Sequence, residues 1–269
     1  MAYVQKIRET YEREGISAVL KKSFTFPVRY AQRTFKPIKD WVLGRLFEIV
    51  RNNKLSYKGV VLSFDDPYIP TKEKSNFLFG LGPHEENPTL YAKKYIDRDL
   101  PLVELGGSTG VVACITDKMI TKEHIVVEAN PYIIPILEKN KKVNGCHFTV
   151  VNKALGYKST LEYYASGNPW GGSLYKKTAR KIAVPGTTLE TLAGDFSKIN
   201  CIVDIEGAEI DLIDHEIDFI SKRVAVLIIE FHPFFTGESE IHRVMEKLEV
   251  SGLHCVEKNE NDAVFVNSL

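Results

Sequence analysis

The chain lacks the features that would place it outside the ordinary globular class. Its 269 residues include only four cysteines, three methionines and two tryptophans. Cys114, Cys146, Cys201 and Cys255 are widely spaced and form no C-x-x-C pair, so they read as reduced thiols, not as a disulfide frame or a zinc site. No apolar run approaches the roughly 18 residues needed to cross a bilayer. The opening segment, MAYVQKIRETYERE, has no apolar core of the kind a signal peptide carries, and a cytoplasmic location is expected. Internal repeats and low-complexity stretches are missing as well. The formal net charge is zero, which argues against general nucleic-acid binding.

What is present is an ordinary apolar share of 44% with 26% charged residues. That suffices for one sizeable α/β domain with an appendage. The charge is unevenly spread: residues 1–54 hold 12 Lys/Arg against 5 Asp/Glu, a net +7, and the remainder balances it at −7. The chain is therefore expected to divide into a basic helical extension, residues 1–56, and a main domain, residues 57–269. Within the extension, 3–14 and 16–22 carry helical patterns. A stronger helix at 38–51 repeats Ile38, Trp41, Val42, Leu46, Ile49 and Val50 along one side. That side suits packing on the main domain or on a second subunit of a homo-oligomer. With the basic charge of residues 1–54 it also suits peripheral contact with an anionic membrane.

After strand character with Asp/Pro turn chemistry at 57–70 and a helix at 87–97, the pattern becomes regular. Apolar strand-like runs at 101–105, 124–128, 147–151, 200–205, 224–230, 253–257 and 262–266 alternate with helical stretches such as 131–143, 207–220 and 239–250. The alternation predicts an α/β fold with a mostly parallel seven-stranded sheet covered on both faces. Only KNEN separates the last two runs, which predicts a closing antiparallel hairpin at the sheet edge.

The first core strand runs into VELGGSTGVVA (103–113). In an open α/β sheet, ligands lie beyond the carboxyl ends of the strands, and glycines there let backbone and ligand approach closely. Dinucleotide sites place glycines at relative positions one, three and six. Gly106, Gly107 and Gly110 fail that template, which argues against a nicotinamide enzyme. The pattern Glu104-x-Gly106-x-x-x-Gly110 instead suits a ligand bearing an amino-acid group, with Glu104 facing its ammonium. A tight strand-to-helix turn is the plainer alternative. A second strand ends in HIVVEANP, and Glu128 at that end is placed to take both hydroxyls of a ribose, or simply to favour a helix start. Together the two acids and the glycines between them point to S-adenosylmethionine.

The chain resembles the FkbM-type family of S-adenosylmethionine-dependent methyltransferases. The stretches that carry the resemblance are VELGGSTGVVA, VVEANPYIIPILEKNKKVN, NKALG (152–156), PGTTLETL (185–192), IVDIEGAEIDLI (202–213) and IIEFHP (228–233), which together span about residues 80–266. DIEGAE is the most specific block. The first block departs from the family in having Glu104 where Asp is commoner, and Gly107-Ser108 where Ala-Asn is. The resemblance implies a Rossmann-like class I methyltransferase fold and methyl transfer to an oxygen, usually a hydroxyl of a sugar, glycan or glycosylated small molecule. It implies that Gly106 and Gly110 line the methionine end of the cofactor, with Gly107 and Ser108 in the same loop. Glu128 would then hold the ribose next to Ala129, and the turn at Asn152 the adenine. Glu85, in GPHEENP (82–88), is placed near the cofactor on the same basis. The resemblance does not extend to residues 1–56.

Methyl transfer from a sulfonium is an in-line displacement, and an alcohol acceptor must also lose a proton. Asp204 and Glu206 are two apart, as are Glu230 and His232, so each pair shares one side of its strand. If the strands are neighbours, these groups converge. Asp204, Glu206 and His232 are therefore the candidate catalytic residues, with His232 as the base because an ordinary imidazole titrates near neutrality. Alternatives are that Asp204 holds the cofactor's amino group, that Glu206 caps the following helix, and that His232 is only a turn residue. Glu209 and Glu216 read as solvated helix residues. Carboxylates with a histidine are compatible with a divalent metal, but the cluster does not require one and none is assigned. In ASGNPWGGSLYKK (165–177), Trp170 and Tyr175 are candidates to stack on a sugar face, and Asn168 and Ser173 to take hydroxyls; a plain hairpin loop is the alternative. A non-catalytic module that binds S-adenosylmethionine within a glycan-assembly complex is the competing functional class.

Overall fold

A computed structural model of the chain describes residues 36–77, 86–165, 172–175 and 180–268. The chain divides into two compact units, Met1–Asn52 with Pro70–Leu78, and Asn53–Ile69 with Phe79–Leu269. The helices expected at 3–14 and 16–22 lie outside the described residues.

In the smaller unit, helix α1 (36–51) is joined to a 3-10 turn at Glu73–Phe77. Glu48 ties them, accepting from Thr71 Oγ1 at 2.9 Å and pairing with Lys74 at 3.0 Å and Arg45 at 2.7 Å. Phe47 and Phe77 pack with ring centroids 6.2 Å apart. The apolar stripe Ile38, Trp41, Val42, Leu46, Ile49 and Val50 is exposed.

The larger unit opens with a hairpin of β1 (Lys54–Tyr57) and β2 (Val60–Ser63), then α2 (Glu86–Tyr95). The regular part follows: β3 (Leu102–Leu105), α3 (Val111–Thr116), β4 (His124–Val127), α4 (Ile134–Val143) and β5 (Thr149–Val151). Next come β6 (Ala154–Leu155), β7 (Thr160–Ala165), β8 (Arg180–Thr187), α5 (Leu189–Ala193), β9 (Ile199–Val203) and α6 (Glu209–Arg223). The unit closes with β10 (Val224–Glu230), α7 (Pro233–Thr236), α8 (Glu238–Val250), β11 (Leu253–Asn259) and β12 (Asp262–Asn267).

The main sheet has the order β11-β12-β10-β9-β3-β4-β5. Its five strands β10-β9-β3-β4-β5 run parallel, and the β11–β12 hairpin is antiparallel to them. The seven expected strands are all present, and the architecture is the Rossmann-like one. Period-two alternation sends Val103 and Leu105 to one face, where they meet Leu212 and Ile220 of α6 and Val244 and Leu248 of α8. Leu102 goes to the other face with Ile202, Ile228 and Tyr91 of α2. Covering both faces explains why β3 and β9 are apolar almost throughout, each such side chain contributing about 1.5–3 kcal/mol. From β3 the chain runs outward to β4 and β5, then returns to place β9 and β10 on the opposite side of β3. Strand order therefore reverses between β3 and β9, the place where such sheets bind ligands.

A second, three-stranded sheet, β6-β8-β7, was not expected. Its strands are the AL of NKALG, TLEYYA and RKIAVPGT. None of these shows the unbroken apolar character that marked the core strands.

Candidate active site

The four parallel strands β3, β4, β9 and β10 end at one edge, and a cavity of about 550 Å³ opens there. Its walls include the Gly106–Thr109 loop, Glu128, Lys153, Asp204, Glu206 and His232. That volume lies in the range of small-molecule and cofactor sites.

The glycines of the first loop serve the protein's own packing. A Cβ on Gly106 would stand 1.7 Å from the Asp204 carbonyl oxygen, and φ there is +95°. A Cβ on Gly107 would meet Val126, and one on Gly110, at φ +84°, would meet Leu137. The loop is thereby pressed onto β9, β4 and α4. Gly106 N and Gly107 N both donate to Val127 O at 2.9 Å, which fixes its height over the sheet. Glycine at these positions lets two strand ends touch, and Gly106 and Gly107 also border the cavity.

Glu128, buried, accepts from Ser108 N at 2.7 Å and Asn130 N at 2.6 Å. Burial pushes its carboxyl above the ordinary carboxylate value while these backbone donors draw it back. It thus holds the first loop to the end of β4 while bordering the cavity, with Ala129 beside it. Asn152 donates to Glu128 O at 2.8 Å and Ala129 O at 3.3 Å. It braces that turn, and the cavity wall beyond it is formed by Lys153, Ala154 and Leu155. The turn expected to face the adenine thus borders the cavity through Lys153, Ala154 and Leu155, while the Asn152 side chain braces it from behind. Glu104 borders the cavity, but its carboxyl is buried and lies 3.6 Å from Nε2 of buried His124. Glu85 lies outside the described residues.

Asp204, Glu206 and His232 come together as the spacing predicted. His232 Nε2 lies 3.6 Å from Asp204 Oδ1 and 3.9 Å from Glu206 Oε2. Glu206 is delivered by an unusual backbone, φ 53° followed by Gly207 at φ 110°, a conformation that costs a non-glycine residue about 1 kcal/mol or more. The organising residue is Glu209, which the sequence placed in solvent. It is fully buried at the start of α6, accepts from Ile205 N and Gly207 N at 3.2 Å each, and bonds His232 Nδ1 at 2.9 Å. A carboxylate can only accept, so Nδ1 carries the proton and Nε2 is turned to the cavity side. Burial opposes a charge on His232, but the Glu209 bond and the charges of Glu209, Asp204 and Glu206 outweigh it and raise the ring to about 9. These carboxylates favour the charged ring, so the setting departs from the ordinary imidazole on which the expectation of a base rested. Asp204 reaches the cavity, yet the protein packed around its carboxyl and the neighbouring Glu230 push it above the usual aspartate value, against the pull of His232.

Glu216, also read as solvated, is buried. It accepts from Leu189 N, Glu190 N and the Tyr157 hydroxyl, and so caps α5 from α6. Thr188 N-caps the same helix through Thr191 N, which gives the TTLETL block a structural meaning. Of the loop residues singled out, Trp170 and Asn168 lie outside the described residues. The Ser173 hydroxyl donates to Glu206 O at 2.7 Å and is buried, so it supports the Glu206 turn. Tyr175 is half-exposed, with its hydroxyl on Asp211. Beside it lies Phe235 of α7 against Gly207, next to the exposed Phe234. Of this aromatic rim, Tyr175 was singled out in the sequence, whereas Phe234 and Phe235 were not.

Crystal structures similar to this chain include a ribosomal protein L11 methylase from Lactobacillus delbrueckii subsp. bulgaricus, 11% identical, with 68% of this chain and 77% of that chain covered at TM-score 0.42. A precorrin-6y C5,15-methyltransferase from Geobacter metallireducens GS-15 is 13% identical, with 76% and 100% covered at TM-score 0.42. TYW2 of M. jannaschii, in complex with AdoMet, is 13% identical, with 80% and 85% covered at TM-score 0.41. No curated protein sequence matches the chain significantly. Residues 104–256, more than half of the chain, match the methyltransferase FkbM domain. They run from the acid that opens the first loop to the edge strand β11, and take in the whole Asp204–Glu206–His232 cluster. The chain thus belongs to the FkbM methyltransferase family and has a class I methyltransferase fold.

Proposed function

We propose that the protein transfers a methyl group from S-adenosylmethionine to a hydroxyl oxygen of a sugar, glycan or glycosylated small molecule. The observation that carries this reading is the sign of the cavity wall. Glu128, Asp204, Glu206, Glu230 and Asp262 face it against Lys153 and His232. Such a wall favours a cationic guest, and S-adenosylmethionine brings a sulfonium and an ammonium. A dinucleotide pyrophosphate would meet repulsion. Bound with its ribose at Glu128 and its methionine end over the Gly106–Gly110 loop, the donor would present its methyl toward Asp204, Glu206 and His232.

In the step itself, the acceptor O–H gives up its proton to the Asp204–Glu206 carboxylates. The oxygen lone pair then forms the O–CH3 bond. The C–S bond breaks with its electron pair going to sulfur, leaving the neutral thioether S-adenosylhomocysteine. His232, fixed by Glu209, aligns the acceptor oxygen on this line. The half-exposed Tyr175 and exposed Phe234 at the rim offer faces on which a sugar ring can stack. The test is a calorimetric titration with S-adenosylmethionine and its demethylated product, followed by transfer of labelled methyl to a panel of glycosides. Binding of both, with label on an acceptor oxygen, is expected. Binding with no transfer to any acceptor would favour the non-catalytic module, and no binding would refute the reading. Glu128→Ala should weaken the donor on the order of tenfold or more, the scale of a hydrogen bond to a charged group, with circular dichroism as the fold control.

A further inference from the structure

We propose that Asp204, Glu206 and His232 form a binding site for one divalent cation of the Mn2+ or Mg2+ type at the carboxyl edge of β9 and β10. One donor atom from each residue lies within 4.8 Å of the other two. Donors bound to a single such ion sit about 3.0–3.4 Å apart, given metal–ligand bonds near 2.1 Å. The observed separations from His232 Nε2, 3.6 Å to Asp204 and 3.9 Å to Glu206, exceed this by less than the reach of a side-chain rotation. They are also too long for hydrogen bonds, so neither carboxylate closes onto Nε2.

Two further features point to a cation. His232 donates Nδ1–H to Glu209, the arrangement by which a carboxylate fixes the tautomer of a metal-ligating histidine and raises its basicity. This leaves the Nε2 position facing two carboxylate oxygens, where a cation is the natural bridge. Glu209 itself is fully buried, and its Oε2 has no hydrogen-bond partner. Asp204, Glu206 and Glu230 all lie close enough to act on the same place electrostatically. Two carboxylates and one imidazole form a hard to borderline donor set, which suits Mn2+ or Mg2+ with water or substrate oxygen in the remaining positions. The site opens to the cavity, since Asp204 is 47% exposed and Glu206 33%. On the function proposed above, on which this last step rests, the open positions receive the acceptor hydroxyl, and His232 is a ligand, not a base.

Mn2+ binding to the purified full-length protein, followed by the loss of the free-ion electron paramagnetic resonance signal, tests the site without any methyl acceptor. One saturable Mn2+ per chain is expected, displaced by excess Mg2+. Asp204→Asn and His232→Ala should each weaken it at least tenfold, and Glu209→Gln about 10–100-fold, the usual scale for losing an outer partner of a metal ligand. No saturable binding, or binding unchanged in both ligand variants, overturns the proposal. Should those variants fail to fold, the wild-type protein decides: Mn2+ must broaden the amide resonances of Ile205 and Gly207 before those of β11, and uniform broadening overturns it. S-adenosylmethionine binding measured by dialysis on the same samples separates the two readings. Donor binding without Mn2+ binding refutes the cation site alone, and Mn2+ binding without donor binding refutes the donor assignment alone.

Discussion

A methyl group added at Gly106 would lie 1.7 Å from the Asp204 carbonyl oxygen, so Gly106→Ala must separate β3 from β9 or distort the loop. The expected result is a melting temperature lowered by several degrees together with loss of donor binding; an unchanged melting curve would show that the loop is looser than its contacts imply. This substitution therefore cannot serve as a pure binding probe. Glu206→Gly is a cleaner one. It releases a left-handed backbone at φ 53°, so stability should change by less than about 1 kcal/mol while methyl transfer falls steeply, as thermal melts and turnover would show. At this scale the sequence was legible where chemistry and spacing coincide. Asp204 with Glu206, and Glu230 with His232, are two apart at the carboxyl ends of β9 and β10, whose adjacency the sequence left as a condition and the sheet order supplies. Glu209 was not legible. Its position on a charged helix looks like solvent, and only the turn of backbone at Glu206-Gly207 brings it beneath the histidine.

The pairing of α6 with α8 depends on surface charge as well as on its apolar seam. Asp214 takes two bonds from Arg243, at 2.8 and 2.7 Å, and one from Lys247 at 2.9 Å. The Arg243 bonds hold its carboxyl below the ordinary value of 3.8, against the effect of burial. A depressed carboxylate stabilises the fold above its unfolded value and loses that contribution as pH falls toward the folded one. Arg243→Ala should therefore cost about 0.5–1 kcal/mol at pH 7, the scale of a partly exposed pair, and the gap to wild type should narrow progressively as pH falls below 3.8. Melts at pH 7 and pH 3 would check this; a gap as large at pH 3 as at pH 7 would place the arginine's contribution in packing. Glu216→Ala should cost more, about 2–3 kcal/mol, because it strands buried donors at the start of α5. Elements were legible in proportion to their periodicity. The core strands and long helices stood out, whereas β6, β7 and β8 did not, because that small sheet is polar on one side and interrupted by Pro185.

For the chain as a whole, charge and apolar surface are segregated. Residues 1–54 hold the positive excess, and α1 exposes Trp41, Ile49 and Val50. We propose that this segment meets an anionic lipid surface, with each basic residue adding on the order of 1 kcal/mol near it. Full-length protein should sediment with anionic but not neutral vesicles at low salt, and the double variant Trp41→Glu, Ile49→Glu should not; wild-type protein left in the supernatant at low salt would refute it. None of the described helices is long and apolar enough to cross a membrane. The placement of β12 has a different consequence, one for biosynthesis. It lies between β10 and β11 although it follows both in sequence. A nascent chain that has reached residue 260 has therefore made β10, VAVLIIE, without the strand that will cover one of its edges. Until residues 262–267 emerge, that apolar run is an open template for another copy. A chain cut at Asn259 should therefore accumulate as aggregate even though Asp204, Glu206 and His232 are all present.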